Sequence, residues 1–293
     1  VLKTLRESLV ANEIGQLTAI INGTSNFILT KMEEEGLSYS EGLKRASDLG
    51  FAEADPAMDV EGIDAMQKLR ILATHILDGN FPEGEILCEG ITQLSEHDFY
   101  FAKKHDFSIK LLAIARKHPG SIELRVHPTL IPKNHPLASV RNEFNAVFLR
   151  GDAVGDIMLS GRGAGSLPTA SAVYADIVDI CTRSSKQNIP SQIQTNSINV
   201  LASQRTETCY YLCFTIQDKP GVVGEISTIL GRHDVSVSHV AAELIPNANG
   251  LGMVDIIVHQ TVEKNLVQAI EEINLLPRIK GEGKFIRIEK ELF

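Results

Sequence analysis

Apolar residues recur at helical spacing between Gly62 and Asp78, where Ile63, Met66, Leu69, Ala73 and Ile76 fall on one stripe. Similar patterning predicts helices over 3–14, 26–35 and 168–182. Another is opened by Ser38 or Ser40 and closed at Gly50. Runs rich in β-branched residues predict strands over 16–21, 121–128 and 145–160. Strands and helices alternate loosely up to residue 206, which predicts an α/β (α+β) domain on a mixed sheet. A Ser/Gln/Asn/Thr-rich connector, 184–207, is expected to drape over that domain. The pattern then tightens into strand 209–217, helix 222–233, strands 235–245 and 252–260, helix 263–274 and strand 284–288. Turn residues Asp218-Lys219-Pro220-Gly221 and Asn247-Ala248-Asn249-Gly250 punctuate it. That βαββαβ order is the ferredoxin-like arrangement. Two domains, 1–206 and 207–293, are therefore expected.

Composition narrows the setting. The 293 residues are 43% hydrophobic and 22% charged, with a net charge of −9, which argues against a nucleic-acid surface. No apolar run is long enough to suggest a membrane span. Cys88, Cys181, Cys209 and Cys213 show no metal-binding spacing; a strand would hold Cys209 and Cys213 about 13 Å apart, too far for a bridge. Reduced thiols in a cytoplasmic protein are the expectation. The chain opens on Val1-Leu2-Lys3 without an initiator methionine, which suggests a fragment.

The densest chemistry lies in Leu49–Lys68, where Glu53, Asp55, Asp59, Glu61 and Asp64 are followed by a lone lysine. Pro56 keeps Asp55 out of a helix. Asp64 and Lys68, four apart, share one face of the helix after Gly62. A carboxylate loop beside a paired lysine can set a proton donor next to a site for a small cation, or it can be a solvated loop with a surface ion pair. Asn22-Gly23-Thr24-Ser25 stands where a strand gives way to a helix, a place where free N–H groups and hydroxyls suit a carboxylate or simply form a capped turn. Gly161-Arg162-Gly163-Ala164-Gly165 follows a strand and precedes a helix, but Ser166 replaces the third glycine of a dinucleotide fingerprint. Close backbone approach to a flat ligand, or a tight turn, is the better reading. His127-Pro128 and His135-Pro136 are expected on turns with no metal partner.

Taken in order, Ile21–Phe27, Leu49–Pro56, Asp59–Leu69, Gly161–Gly165 and Pro168-Thr169-Ala170 resemble homoserine dehydrogenase, and residues 208–293 resemble the ACT domain that many bacterial members carry. The resemblance covers essentially the whole chain. It implies a substrate-binding and dimerisation domain over 1–206 and an ACT regulatory domain over 207–293. It implies Lys68 as proton donor to the aldehyde oxygen, with Asp64 and Asp59 shaping the polar pocket. Glu53 would hold the substrate ammonium, and Thr24 with Asn22 and Gly23 its carboxylate. The Gly163-Ala164-Gly165 turn would lie near a nicotinamide of NADP or NAD. It further implies threonine as effector and a homodimer or homotetramer. No nucleic-acid or membrane partner is expected.

The sequence departs from the family in three places. The nucleotide-binding domain with its glycine fingerprint is not found in these residues. The loop whose carbonyls hold a sodium ion in the family would fall just before Val1. His239–Asn249 departs from the usual wording of that strand and turn. The expectation is a chain that holds the substrate side of an NAD(P)-dependent enzyme and binds NAD(P) poorly alone. Rival readings are a non-catalytic amino-acid sensor, which needs no proton donor at Lys68, and a magnesium-dependent lyase or hydrolase built on Glu53, Asp55 and Asp59.

Overall fold

The computed structural model describes residues 1–77, 79–182, 198–248 and 250–289. The helix expected over 3–14 is reduced to one π-helical turn, Thr4–Ser8. Hydrogen bonds to a distant turn override the helical pattern: Glu13 N–H donates to Asp152 and Asn12 Oδ1 accepts from Val154 N–H, at 2.9 and 2.8 Å. The chain then enters β1 (Ile14–Ile20) and passes through Asn22 into α1 (Gly23–Glu35). Helix α1 starts three residues earlier than expected because Asn22 Oδ1 accepts the Ser25 N–H at 2.8 Å, an N-cap. Helix α2 (Tyr39–Asp48) is opened by Ser38, not Ser40, in a capping box with Glu41. A one-turn α3 (Ala57–Val60) and the apolar-striped α4 (Ile63–Leu77) follow.

Beyond them come β2 (Leu87–Cys88), α5 (Glu96–Lys104), β3 (Phe107–His118) and β4 (Ser121–Pro132). Helix α5 and strand β3 were not among the expected elements. His127 and Pro128 lie inside β4 rather than on a turn, and His127 is fully buried between Arg125 and Thr129. His135 does open a turn, accepting the Leu137 N–H at 3.0 Å. The stretch 145–160 is a hairpin, β5 (Phe144–Gly151) and β6 (Gly155–Arg162), and α6 (Ser166–Thr182) follows. Most of the expected connector, 183–197, lies outside the described residues. Its end forms β7 (Asn199–Val200). The βαββαβ unit is as expected: β8 (Glu207–Gln217), α7 (Val222–Arg232), β9 (Val237–Leu244), β10 (Leu251–Val262), α8 (Glu263–Asn274) and β11 (Lys284–Ile288).

One mixed sheet threads the whole chain in the order β6-β5-β1-β3-β4-β11-β8-β10-β9, with β2 and β7 also pairing β4. The long outer edge of β4 is shared in turn by β7, β2 and β11, all parallel to it. Thr129 stands opposite Arg287 and Leu130 opposite Ile288, so the sheet is continuous across residue 206. The largest apolar core likewise joins Phe27, Leu69 and Phe101 to Tyr211, Cys213 and Ile286, while α7 and α8 cover the other face of β8 and β10. Buried charge ties the same seam. Arg287 forms paired bonds with Glu89 (2.7 and 2.9 Å) and Glu263 (2.7 and 2.8 Å), and Arg125 bonds Glu289. No helix among the described residues is long and apolar enough to cross a membrane.

Candidate active site

The carboxyl end of β1 is where the motifs meet. Asn22, the cap of α1, faces α4, and its Nδ2 donates to Asp59 Oδ1 at 2.7 Å and to Asp64 Oδ2 at 2.9 Å. Asp64 Oδ2 also accepts from Lys68 Nζ at 2.7 Å, and Nζ donates to the Ile21 carbonyl at 3.2 Å. Ser25 Oγ donates to the Asp59 carbonyl at 2.8 Å. The Asp64–Lys68 pair is thus more than an i,i+4 bridge. With side chains 28% and 48% exposed, its energy as an ion pair is only ~0.3–0.5 kcal/mol. Its effect is positional: two of the three ammonium donors are fixed and one is left for a ligand oxygen.

Strand pairing brings the glycine motif to the same place. Ile20 pairs with Ala146 across β1–β5, and Asn145 pairs with Gly161 across β5–β6. A cavity of about 520 Å³ opens there, lined by Ile21, Lys68, Leu72, Asn145, Gly161 and Gly163 among others. Lys68 stands between this largely apolar groove and the Asn22–Asp59–Asp64 cluster. Gly163 is explained by Asn145: a Cβ on Gly163 would sit 2.0 Å from Asn145 Nδ2. Asn145 Oδ1 is buried with no hydrogen-bond partner. Gly23 allows a second close approach, since a Cβ there would lie 2.9 Å from the Glu143 carbonyl oxygen.

Not every expected residue joins the cluster. Thr24 is buried and its hydroxyl donates to the Phe51 carbonyl at 2.8 Å, so that proton is already committed. Glu53 is exposed on the loop and makes no hydrogen bond with Asn22, Asp59, Asp64 or Lys68. Asp55 accepts the Ala57 N–H at 3.1 Å and starts α3. Gly165 lies at the foot of a separate shallow groove along α6, with Thr169, Val173 and Tyr174. Two residues escaped the sequence reading. Asn145 carries no motif signal. Lys110, fully buried in β3, donates to the Val140 carbonyl at 2.7 Å and to Asn26 Oδ1 at 3.4 Å, and burial pulls its ammonium down to about 8. With Asn26 Nδ2, which reaches the Asn142 and Phe144 carbonyls at 2.9 and 3.1 Å, it fixes the segment leading to Asn145.

The homoserine dehydrogenase family profile matches residues 1–178, which include the cluster and the glycine turn. The chain belongs to the homoserine dehydrogenase family. Residues 210–277 match the ACT domain. A homoserine dehydrogenase from Pseudomonas aeruginosa is 38% identical over 297 residues, covering 99% of this chain and 68% of its own length. The crystal structure of one from Thiobacillus denitrificans superposes with a TM-score of 0.91 at 40% identity, over 99% of this chain and 67% of that one. A hyperthermophilic archaeal homoserine dehydrogenase in complex with NADPH aligns with a TM-score of 0.51 at 32% identity, over 61% of this chain and 51% of that one. The chain spans about two thirds of the length of the first two relatives. Homoserine dehydrogenases are NAD(P)-dependent oxidoreductases of amino-acid biosynthesis, as the sequence resemblance implied.

Proposed function

We propose that this protein interconverts L-homoserine and L-aspartate 4-semialdehyde with NADP or NAD, in threonine and methionine biosynthesis. The observation that carries the proposal is the position of Lys68, clamped by Asp64 and the Ile21 carbonyl between the Asn22–Asp59–Asp64 cluster and an apolar groove. When bound, the nicotinamide supplies or takes the hydride. The groove suits that ring: its walls are apolar, and the buried, unpartnered Asn145 Oδ1 suits a carboxamide N–H. In the reducing direction the Lys68 ammonium hydrogen-bonds the aldehyde oxygen, stabilises the developing alkoxide and delivers the proton. Asp64 keeps Nζ aimed, and Asp59, held by the same Asn22 amide, lines the polar end of the substrate. Glu53, free of other partners on its loop, attracts the substrate ammonium. The first-turn N–H groups of α1 at Gly23 and Thr24 suit the carboxylate. Gly163, Ala164 and Gly165 form the turn on the nicotinamide side.

Residues 1–206 act as the substrate and dimerisation unit, and residues 207–293 as a regulatory unit that takes an amino acid, threonine being our choice. The working form is a cytoplasmic homodimer or homotetramer. The test is homoserine-dependent reduction of NADP⁺ or NAD⁺ by the full-length protein. Turnover supports the proposal; homoserine binding without any turnover identifies a sensor instead.

A further inference from the structure

A second set of side chains, outside the lining of the groove, converges where α5 packs on the face of the ACT sheet opposite α7 and α8. Cys213 and Asp255 are directly opposed residues of the antiparallel β8–β10 pair, so their side chains leave the same face side by side. Tyr211, two residues before Cys213, shares that face. On α5, His97 and Phe101 are four apart and point the same way. The Phe101 ring stacks on Tyr211 with centroids 3.8 Å apart and planes 17° from parallel, which seats His97 over Asp255. His97 Nε2 lies 2.9 and 3.0 Å from the two carboxylate oxygens, and the Tyr211 hydroxyl donates to Oδ1 at 2.8 Å. One ligand atom each from His97, Cys213 and Asp255 lies within 4.8 Å of the others. Cys213 and Asp255 are each only 6% exposed.

We propose that His97, Cys213 and Asp255 form a binding site for a divalent transition-metal cation, zinc fitting best, which bridges the substrate unit and the ACT domain. An imidazole, a thiolate and a carboxylate make a mixed N/S/O donor set that suits Zn²⁺ and is wrong for Mg²⁺ or Ca²⁺, which want oxygen alone. The charges match as well. One thiolate and one carboxylate cancel the cation's two charges beside a neutral imidazole, so the loaded site buries no net charge. Tetrahedral zinc asks for ligand atoms roughly 3.5 Å apart, as follows from bonds of ~2.0–2.3 Å. The three ligand atoms already lie within 4.8 Å of one another, so reaching that separation asks for shifts of about 1 Å, and the fourth position is left for water. Binding releases the Cys213 thiol proton and any proton His97 holds beyond the neutral imidazole. Burial pushes that thiol up to about 12, and a bound cation works in the opposite sense. Positions 97, 213 and 255 form no sequence motif because the ligands come from one helix and two strands. None of them lines the groove at Lys68.

Cobalt(II) is the probe, added to chelator-stripped full-length protein. The expected result is one equivalent bound, with a thiolate-to-cobalt charge-transfer band that Zn²⁺ abolishes. Cys213→Ser removes the band, while Cys181→Ser, which changes an exposed thiol, keeps it. Asp255→Asn and His97→Gln weaken binding by at least the ~10–100-fold seen when a ligand merely loses its hydrogen-bond partner. Zinc raises the melting temperature of the wild type and not of Cys213→Ser. Absence of the band in the wild type overturns the proposal, and so does a band untouched by all three ligand variants. Either would leave His97, Tyr211 and Asp255 as a hydrogen-bonded junction alone. Should Cys213→Ser fail to fold, the His97→Gln affinity decides.

Discussion

Replacing Asn22 separates two functions that one side chain combines. Its Oδ1 caps α1 through the Ser25 N–H, and its Nδ2 holds Asp59 and Asp64. Asn22→Ala removes both. The cap is worth ~1 kcal/mol. Each bond to a carboxylate is worth ~1.5 kcal/mol at the low end for charged partners, and lower here because water reaches an Asp64 side chain that is 28% exposed. The expected loss of unfolding free energy in urea is ~2–3 kcal/mol for Asn22→Ala. Asn22→Ser can still accept from the Ser25 N–H, so it should retain ~1 kcal/mol of that. Turnover should respond differently. Both variants free Asp64 to swing with Lys68 as an ordinary surface pair, so both should lower kcat by about tenfold, or ~1.4 kcal/mol. The two thus differ in stability and agree in catalysis. Equal stability of the two variants would refute the cap, and wild-type turnover in both would refute the positional role of the amide.

Three further outcomes are expected. Arg287→Met strands the buried Glu263 at the seam, while the more exposed Glu89 turns to water, and should cost ~3 kcal/mol in urea unfolding, whereas an unchanged midpoint would show the seam to be solvated. The Asp255 carboxylate hydrogen-bonded to His97 raises its imidazole above the ordinary value of 6.5; the resulting stability is complete below about pH 6.5 and is lost as pH climbs through the raised folded value. In metal-free protein the stability gap between wild type and His97→Gln should therefore narrow from pH ~6 to ~9, and a constant gap would contradict the pairing. Gly163→Ala must expel the Asn145 side chain, so it should weaken nicotinamide cofactor binding as Asn145→Ala does, and the double variant should be no worse than either single one.

Legibility in the sequence followed how local the cause was. The α4 stripe, the Ser38 cap and the βαββαβ unit could be read because spacing and capping act within a few residues. The helix expected over 3–14 failed because Asp152 and Val154, some 140 residues away, claim its end. Buried His127 looked like a turn residue only because Pro128 follows it. Proline is tolerated there because β4's outer edge changes partners between Val126, paired with β2, and Thr129, paired with β11. In the site, Asp64 and Lys68 were visible as an i,i+4 pair. Asn22 was visible as a cap and, through the resemblance, as part of a carboxylate site, whereas its amide bridge to both aspartates is a tertiary fact. Gly163 was noticed as a close-approach glycine, and the side chain that comes close to it is Asn145, from a neighbouring strand. The continuity of the sheet across residue 206 had no local signature, since it rests on two paired positions of β4 and β11.

The most direct measurement is homoserine oxidation by the full-length protein, wild type against Lys68→Ala, with homoserine affinity measured alongside. A fall in kcat of ~10²-fold or more with binding retained is expected, the signature of a lost acid/base group. Turnover equal to wild type would contradict the central role of Lys68.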